Sequence, residues 1–339
     1  MKLTVFLWLF CFTFSLSNAQ TEVSGHITSN SVWSEANAPY MIVGNVYIDA
    51  GITLTIEPGT IIKFVYHPEN TRKVLFIVYG TLDLQSTSGN PIVFTSERDD
   101  SYGGDTNNDG NTTSPASGDW GCIQLNSQPG VSNNFHDCIV RYGGNYYNGG
   151  VNYSYMLWIK SIDPSYNDAI VQNCSFSDSY GPAIYISDQA KPTIMNNSVI
   201  HSRISMNIQR DAIISGNTIT GLDYSGTGIT IASNESNQVV HPTINNNIIE
   251  NFSYPFEQVD CAFPSYSGNT IINNKYHVIC VSGKIFPSSF VNETWGNIQG
   301  LNMPYLLKDV QLGARLTLTI PAGTIIKFVY HPENTRKVL

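Results

Sequence analysis

Five seven-residue stretches in the middle of the chain can be laid under one another, and their spacing constrains the fold more than any other feature. Ile170–Phe176, Thr193–Val199, Ile213–Ile219, Thr243–Ile249 and Ser265–Ile271 carry Cys174, Asn197, Asn217, Asn247 and Asn269 at the fifth position, at intervals of 23, 20, 30 and 22 residues. Phe135–Val140 fits one period earlier and puts Cys138 in the same place. Short strands recurring every 20 to 30 residues describe a solenoid with one coil per period. Stacked Asn side chains can then hydrogen-bond from coil to coil. Val199, Ile219 and Ile271, two places beyond the ladder, are expected in the core, and Gly216 and Gly268 beside it suit a bend with positive φ.

A second repeat sets the domain plan. Gly59–Leu75 returns without a substitution as Gly323–Leu339, with looser echoes before it in Trp33 and Trp295 and in Pro39-Tyr40 and Pro304-Tyr305. The first copy runs on into the strand-like Phe76–Tyr79, whereas the second stops there. The expectation is the front of a longer protein, broken inside a second module. Its parts are an N-terminal cap with the first strands over 20–58, a solenoid over 59–285, a linker over 286–303 and the start of a second module over 304–339. Identity extends through the polar loop His67–Lys73, where a fold alone tolerates change. Recent duplication, or a gene model broken at a repeat, explains that better than structural constraint.

Residues 1–19 read as a secretory signal, with Lys2 in the n-region, Leu3–Leu16 as the apolar run and Ser17-Asn18-Ala19 at the cleavage site. That run is shorter than the ~20 residues a bilayer requires. Charged residues are 13% of the chain and its net charge is −9, which argues against nucleic acid, whose readers carry basic patches. Neutral sugars and metal cations remain compatible. The five cysteines after the signal match neither a zinc spacing nor a dense disulfide framework.

Leu54–Phe64, Gly80-Thr81-Leu82, Asn90–Ser96, Gly118-Asp119-Trp120-Gly121 and Arg141-Tyr142-Gly143-Gly144, together with the Asn coils, resemble right-handed parallel β-helices of the pectate-lyase-like superfamily. More narrowly they resemble bacterial secreted β-helix-repeat proteins. The similarity covers most of residues 33–285. It implies an all-β, single-stranded parallel β-helix, and says little about activity, because the superfamily holds lyases, hydrolases, adhesins and binding modules alike.

Asp105-Thr106-Asn107-Asn108-Asp109-Gly110 has the spacing of the first half of a calcium loop. Asp99, Asp100 and Asp119 flank it and could complete a cage, within an Asp-rich insertion over 99–119 that the resembled family often carries. The alternative is a turn whose Asn and Asp bond their own backbone. Among the basic residues Arg141, His201, Arg203 and Arg210, none sits in a lyase motif, so no catalytic residue is assigned. Arg141 reads as a corner residue bonding carbonyls. Cys138 and Cys174 would lie one coil apart, as a disulfide or as stacked thiols. Tyr142, Tyr146, Tyr147, Tyr153, Tyr155 and Trp158 surround the Gly-rich loop Gly143–Gly150 and can stack on sugar rings, or simply cover the flank of the helix. The sequence reading is therefore a secreted or cell-surface module with a structural, adhesive or glycan-binding role, possible structural calcium, and an extracellular polysaccharide lyase or hydrolase as the alternative.

Overall fold

The computed structural model describes residues 20–69, 73–131, 133–148, 151–166, 169–234, 237–298 and 300–329. The expected signal, residues 1–19, and the last ten residues of the second repeat lie outside them. Almost every regular element is a short strand, and nearly all the strands pair in parallel. Each coil contributes three strands. Ile170–Gln172, Ser175–Ser177 and Ile184–Asp188 form one coil, and in the next Thr193–Met195, Ser198–Ile200 and Ile204–Ile208 pair with them one for one. Three stacked faces result. The first runs through Ile213–Ser215 and Thr243–Asn245 to Ser265–Ser267, and the second through Thr218–Thr220 and Ile248–Glu250 to Thr270–Ile272. The third, with longer strands, begins at the end of Tyr40–Ile48 and reaches Ile279–Ile285.

The corner between the first two faces explains the seven-residue pattern. Asp137, Asn173, Asn196 and Asn246 precede a ladder residue and have φ between 48° and 55°; Gly216 and Gly268 stand in the same place at 67° and 64°. Asn and Gly adopt this conformation at least cost. A Cβ on Gly216 would meet Asn196 Oδ1 at 2.5 Å, so the Asn side chain of one coil occupies the room left by the Gly of the next. After the bend comes the ladder. Asn197 Nδ2 donates to Asn217 Oδ1 (2.9 Å), Asn217 to Asn247 (2.9 Å) and Asn247 to Asn269 (3.0 Å). Each amide oxygen also accepts the backbone N–H of the ladder residue one coil earlier. All four Asn are buried, and the bonds satisfy both ends of each amide.

Inside, the middle residues of the short strands in the central coils are apolar and fully buried: Val171, Phe176, Ile194, Val199, Ile214, Ile219, Ile244 and Ile249; in the last coil Tyr266 and Ile271, the latter expected in the core, are half-buried. Fully burying side chains of this size contributes about 1.5–3 kcal/mol each. Aromatic rings fill the wider N-terminal coils, where Phe64 stacks on Trp120 at 4.1 Å. Trp120 Nε1 donates to Arg141 O, and a Cβ on Gly143 would come within 2.6 Å of the indole. The Gly-Asp-Trp-Gly and Arg-Tyr-Gly-Gly motifs are thus the two halves of one contact.

Within 286–303, read from the sequence as a linker, Val291–Thr294 is a strand paired in parallel with Leu316–Thr319. The coil stack therefore continues through this span. Trp295 stacks on Tyr305 at 5.2 Å, as Trp33 stacks on Tyr40 at 4.7 Å. Among the described residues no helix is long and apolar enough to cross a membrane.

Candidate glycan-binding face

Alternation along the third face sends every second side chain outward. In Leu157–Ser161 the leucine, isoleucine and serine are buried while Trp158 and Lys160 are half-exposed; Ile184–Asp188 likewise turns Tyr185 outward. Parallel register then stacks outward residues in a row: Tyr47, Ile77, Gln124, Trp158, Tyr185 and Ser205 follow one another coil by coil. At about 4.8 Å per coil, the row from Tyr47 to Tyr185 is roughly 19 Å long.

Its centre is aromatic. Tyr155 lies flat on Tyr185, with centroids 3.8 Å apart and planes 9° apart, and Trp158 is tilted beside both, at 5.7 Å from Tyr155 and 6.5 Å from Tyr185. Trp158 Nε1 donates to Ser187 Oγ (2.9 Å), which fixes the indole, and Ser187 in turn donates to Asp188. Lys160 Nζ sits 5.2 Å from the indole centroid and 3.9 Å from Asp188. Gln124 donates to Asn126 (2.7 Å), on the coil before Trp158. Burial raises the Tyr185 phenol's pKa, against the lowering effect of its Tyr155 and Asn207 hydrogen bonds. It stays neutral at physiological pH. The result is an aromatic platform, with Tyr155 and Tyr185 parallel and Trp158 tilted against both, rimmed by amides, hydroxyls and one ion pair.

Toward the N-terminal coils the face meets a pocket of about 680 Å³ whose lining includes Asn45, His67, Glu69, Lys73, Val74 and Tyr146. Tyr146 packs there against the cluster of Leu75, Ile77 and Cys122. Several of these residues belong to the stretch that the chain repeats. Lys73 Nζ donates to His67 O (3.0 Å) and Asp119 O (3.2 Å) and lies 4.4 Å from the Tyr66 centroid. Burial lowers its pKa, partly offset by Asp119.

The sequence-derived candidates separate. Trp158 lies on the platform and Tyr146 beside the pocket. Tyr142 stands at φ 65° and accepts a hydrogen bond from Arg141 at its phenol and one from the Asp119 N–H at its carbonyl. Tyr146–Asn148 and Val151–Tyr153 form an antiparallel hairpin, but the side chains of Tyr147 and Tyr153 fall outside the described ones. Tyr185, Lys160 and Gln124 were not singled out. The signal was there: aligning Leu157–Ser161 with Ile184–Asp188 puts Trp158 over Tyr185 at a shared outward position.

The Asp-rich insertion divides too. Asp99 is buried and accepts from Thr95 Oγ1 (2.6 Å) and Ser101 Oγ, with Arg141 at 3.5 Å. Arg141 thus braces the insertion, where a bond to corner carbonyls was expected. Asp119 is buried against Ser96 (2.7 Å), Arg98 (3.2 Å) and the N–H of Ala116 (3.1 Å). Both carboxylates are thus engaged by hydroxyl, guanidinium or backbone N–H groups, and among the described residues no three His, Cys, Asp or Glu side chains gather as a metal group would. Within the loop, Asp105 accepts the N–H groups of Asp109 (3.2 Å) and Gly110 (2.9 Å). Asn107 Oδ1 and Asp109 Oδ1 are enclosed and have no hydrogen-bond partner, as is Asp100 Oδ1. Lys63, fully buried, donates to Gly104 O (2.7 Å) and Thr106 Oγ1 (3.0 Å) and ties the insertion to the second face; burial lowers its pKa against the pull of Asp100, Asp99, Asp105 and Glu97.

Cys138 and Cys174 are free thiols, Cys138 Sγ donating to His136 O (3.1 Å) and Cys174 Sγ to Gln172 O (3.2 Å). Burial pushes the Cys138 thiol well above its ordinary range, and that of Cys122 up to about 12. Neither is a ready nucleophile.

Two family models match, the pectate-lyase like beta helix domain over residues 25–152 and the right handed beta helix region over residues 157–301. The chain is a right-handed parallel β-helix repeat protein. This β-helix matches no curated protein and no solved structure.

Proposed function

We propose that this β-helix is a secreted glycan-binding module that takes neutral polysaccharide along the outward side of its third face. The observation that carries the reading is the half-exposed platform of Tyr155, Trp158 and Tyr185, held rigid by stacking and by the bond from Trp158 to Ser187. Rigid aromatic surface offers contact area at low entropic cost. The amides and hydroxyls of Gln124, Ser205 and Asn207 at neighbouring positions can bond sugar hydroxyls. Net charge −9 disfavours acidic polymers, which favours neutral ones. Affinity electrophoresis in gels containing neutral or acidic polysaccharides tests this. A neutral polymer should retard the protein, and Trp158→Ala should weaken that about tenfold, as losing an aromatic contact does. Retardation by acidic polymers alone, or unaltered by Trp158→Ala, contradicts it.

Calcium belongs to the same reading as a structural ion. Asp105, Asn107 and Asp109 would hold it, since two enclosed oxygens there lack partners. Affinity would be of the extracellular kind, about 10⁻⁴–10⁻³ M.

The enzymatic alternative, a polysaccharide lyase or hydrolase, draws on the pocket beside Lys73, where burial lowers the amine's pKa near His67 and Glu69. The amine already serves two carbonyls, which favours a structural role. New reducing ends released from a retarding polymer, and lost in Lys73→Ala, would support the enzyme instead.

A further inference from the structure

The N-terminal strand Thr21–Ile27, Thr-Glu-Val-Ser-Gly-His-Ile, recurs as Ile279–Ile285, Ile-Cys-Val-Ser-Gly-Lys-Ile. Both pair in parallel with the strand that starts at the repeated tyrosine: Thr21 with Tyr40 and Val23 with Ile42, Ile279 with Tyr305 and Val281 with Leu307. Both pairings shift register around the Ser-Gly step, between Val23 and Gly25 in one and between Ser282 and Lys284 in the other, and Gly25 and Gly283 have φ of 84° and 89°. The second module therefore begins at Ile279, earlier than Trp295. The two settings differ in one respect. Ile279–Ile285 is also paired on its other side, with Tyr254–Val259, whereas the only registered partner of Thr21–Ile27 among the described residues is Tyr40–Ile48. The inward side chains follow suit, since Val281 and Ile285 are buried but Val23 and Ile27 only half-buried. One motif occupies an interior position once and an edge position once.

An edge of this kind pairs with another chain unless it is blocked; no proline blocks this one, and its one irregularity is the register shift between Val23 and Gly25. Its charges select the partner. If two copies meet antiparallel with Ser24 opposite Ser24, Glu22 of each faces His26 of the other, whose Nδ1 is held by Asp49 of its own chain (2.7 Å) and whose ring stacks on Tyr47 (4.6 Å), while Val23 faces Gly25 and Thr21 faces Ile27. Glu22, Ser24 and His26 are the exposed set, so the complementary pairs share one surface. The strand passes from the second face to the third between Val23 and Gly25, and a two-fold axis through Ser24 exchanges its two arms. An isologous contact requires such self-complementarity.

We propose that two copies of this chain associate head to head through the outer edges of Thr21–Ile27, in antiparallel register about Ser24, so that the two coil stacks continue into one another. The partner is a second copy because the strand complements itself and because the same motif is already paired on both sides inside the chain.

Light scattering on the purified protein should give a dimer. Antiparallel residues directly opposite lie about 4.5–5.5 Å apart between Cα atoms, a separation a disulfide tolerates. Ser24→Cys, oxidised with copper–phenanthroline, should therefore give a dimer on a non-reducing gel that thiol dissolves. Ser29→Cys, exposed beyond the strand, should not; the described native cysteines are buried and do not compete. Glu22→Lys should raise the dimer Kd about tenfold, two opposed pairs being lost, and adding His26→Glu should restore it. A monomer at every concentration tested overturns the proposal. So does a dimer indifferent to Glu22→Lys, or assembly that grows beyond two copies, which would mark a head-to-tail contact instead.

Discussion

A single ladder residue shows how much rests on one amide. Asn217 donates to Asn247 Oδ1 and to Ile194 O, and accepts both the backbone and side-chain N–H of Asn197. Asn217→Ala strands several buried polar groups, each costing about 1–3 kcal/mol when unmade. We expect about 3 kcal/mol or more lost in denaturant unfolding, with Asn196→Ala, in the exposed bend position, costing less. Equal losses would mean that the ladder adds nothing beyond the bend. This feature was legible in the sequence because every coil needs the same residue at the same corner. Asp99 and Asp119 were legible as acids but not as braces, since Arg141, Ser96 and Arg98 reach them through folding rather than through any local pattern.

Among elements, the insertion over 99–119 is the most heavily charged. Beside it Glu97 accepts the N–H of Tyr66 (2.8 Å), and burial raises its pKa above the ordinary 4.5, against the lowering effect of that bond. The folded form then holds this proton more tightly than the unfolded chain, so stability falls as pH rises from about 4.5 through the folded-state pKa. Glu97→Gln should remove that fall, measured as unfolding free energy against pH. A variant that tracks the wild type would show that Glu97 titrates alike in both states. If the loop Asp105–Gly110 holds calcium, millimolar calcium should raise Tm relative to EDTA, and Asp105→Ala should abolish the difference while leaving the fold intact. No difference in the wild type would contradict the site. The third-face platform was half legible: Trp158 stood out by type, but Tyr185 is set beside it by register, which only the aligned coils reveal.

At the scale of the molecule, the order of coils was readable because each repeats a strand pattern, and the two family models tile most of the same span. The junction was not. The sequence between 286 and 303 is rich in turn residues and reads as a break, yet its strand Val291–Thr294 pairs onward and Ile279–Ile285 belongs to both units. Period and composition mark a coil's interior well and its boundaries poorly, because one strand can close one unit and open the next. The central claim is that ligand lies along the third face. Hydrogen exchange with and without a retarding neutral polysaccharide tests it most directly. The account predicts slowed exchange in Ile123–Asn126, Leu157–Ser161 and Ile184–Asp188, with the ladder-side strands Thr193–Met195 and Ile213–Ser215 unchanged. Slowed exchange confined to the first or second face would contradict it.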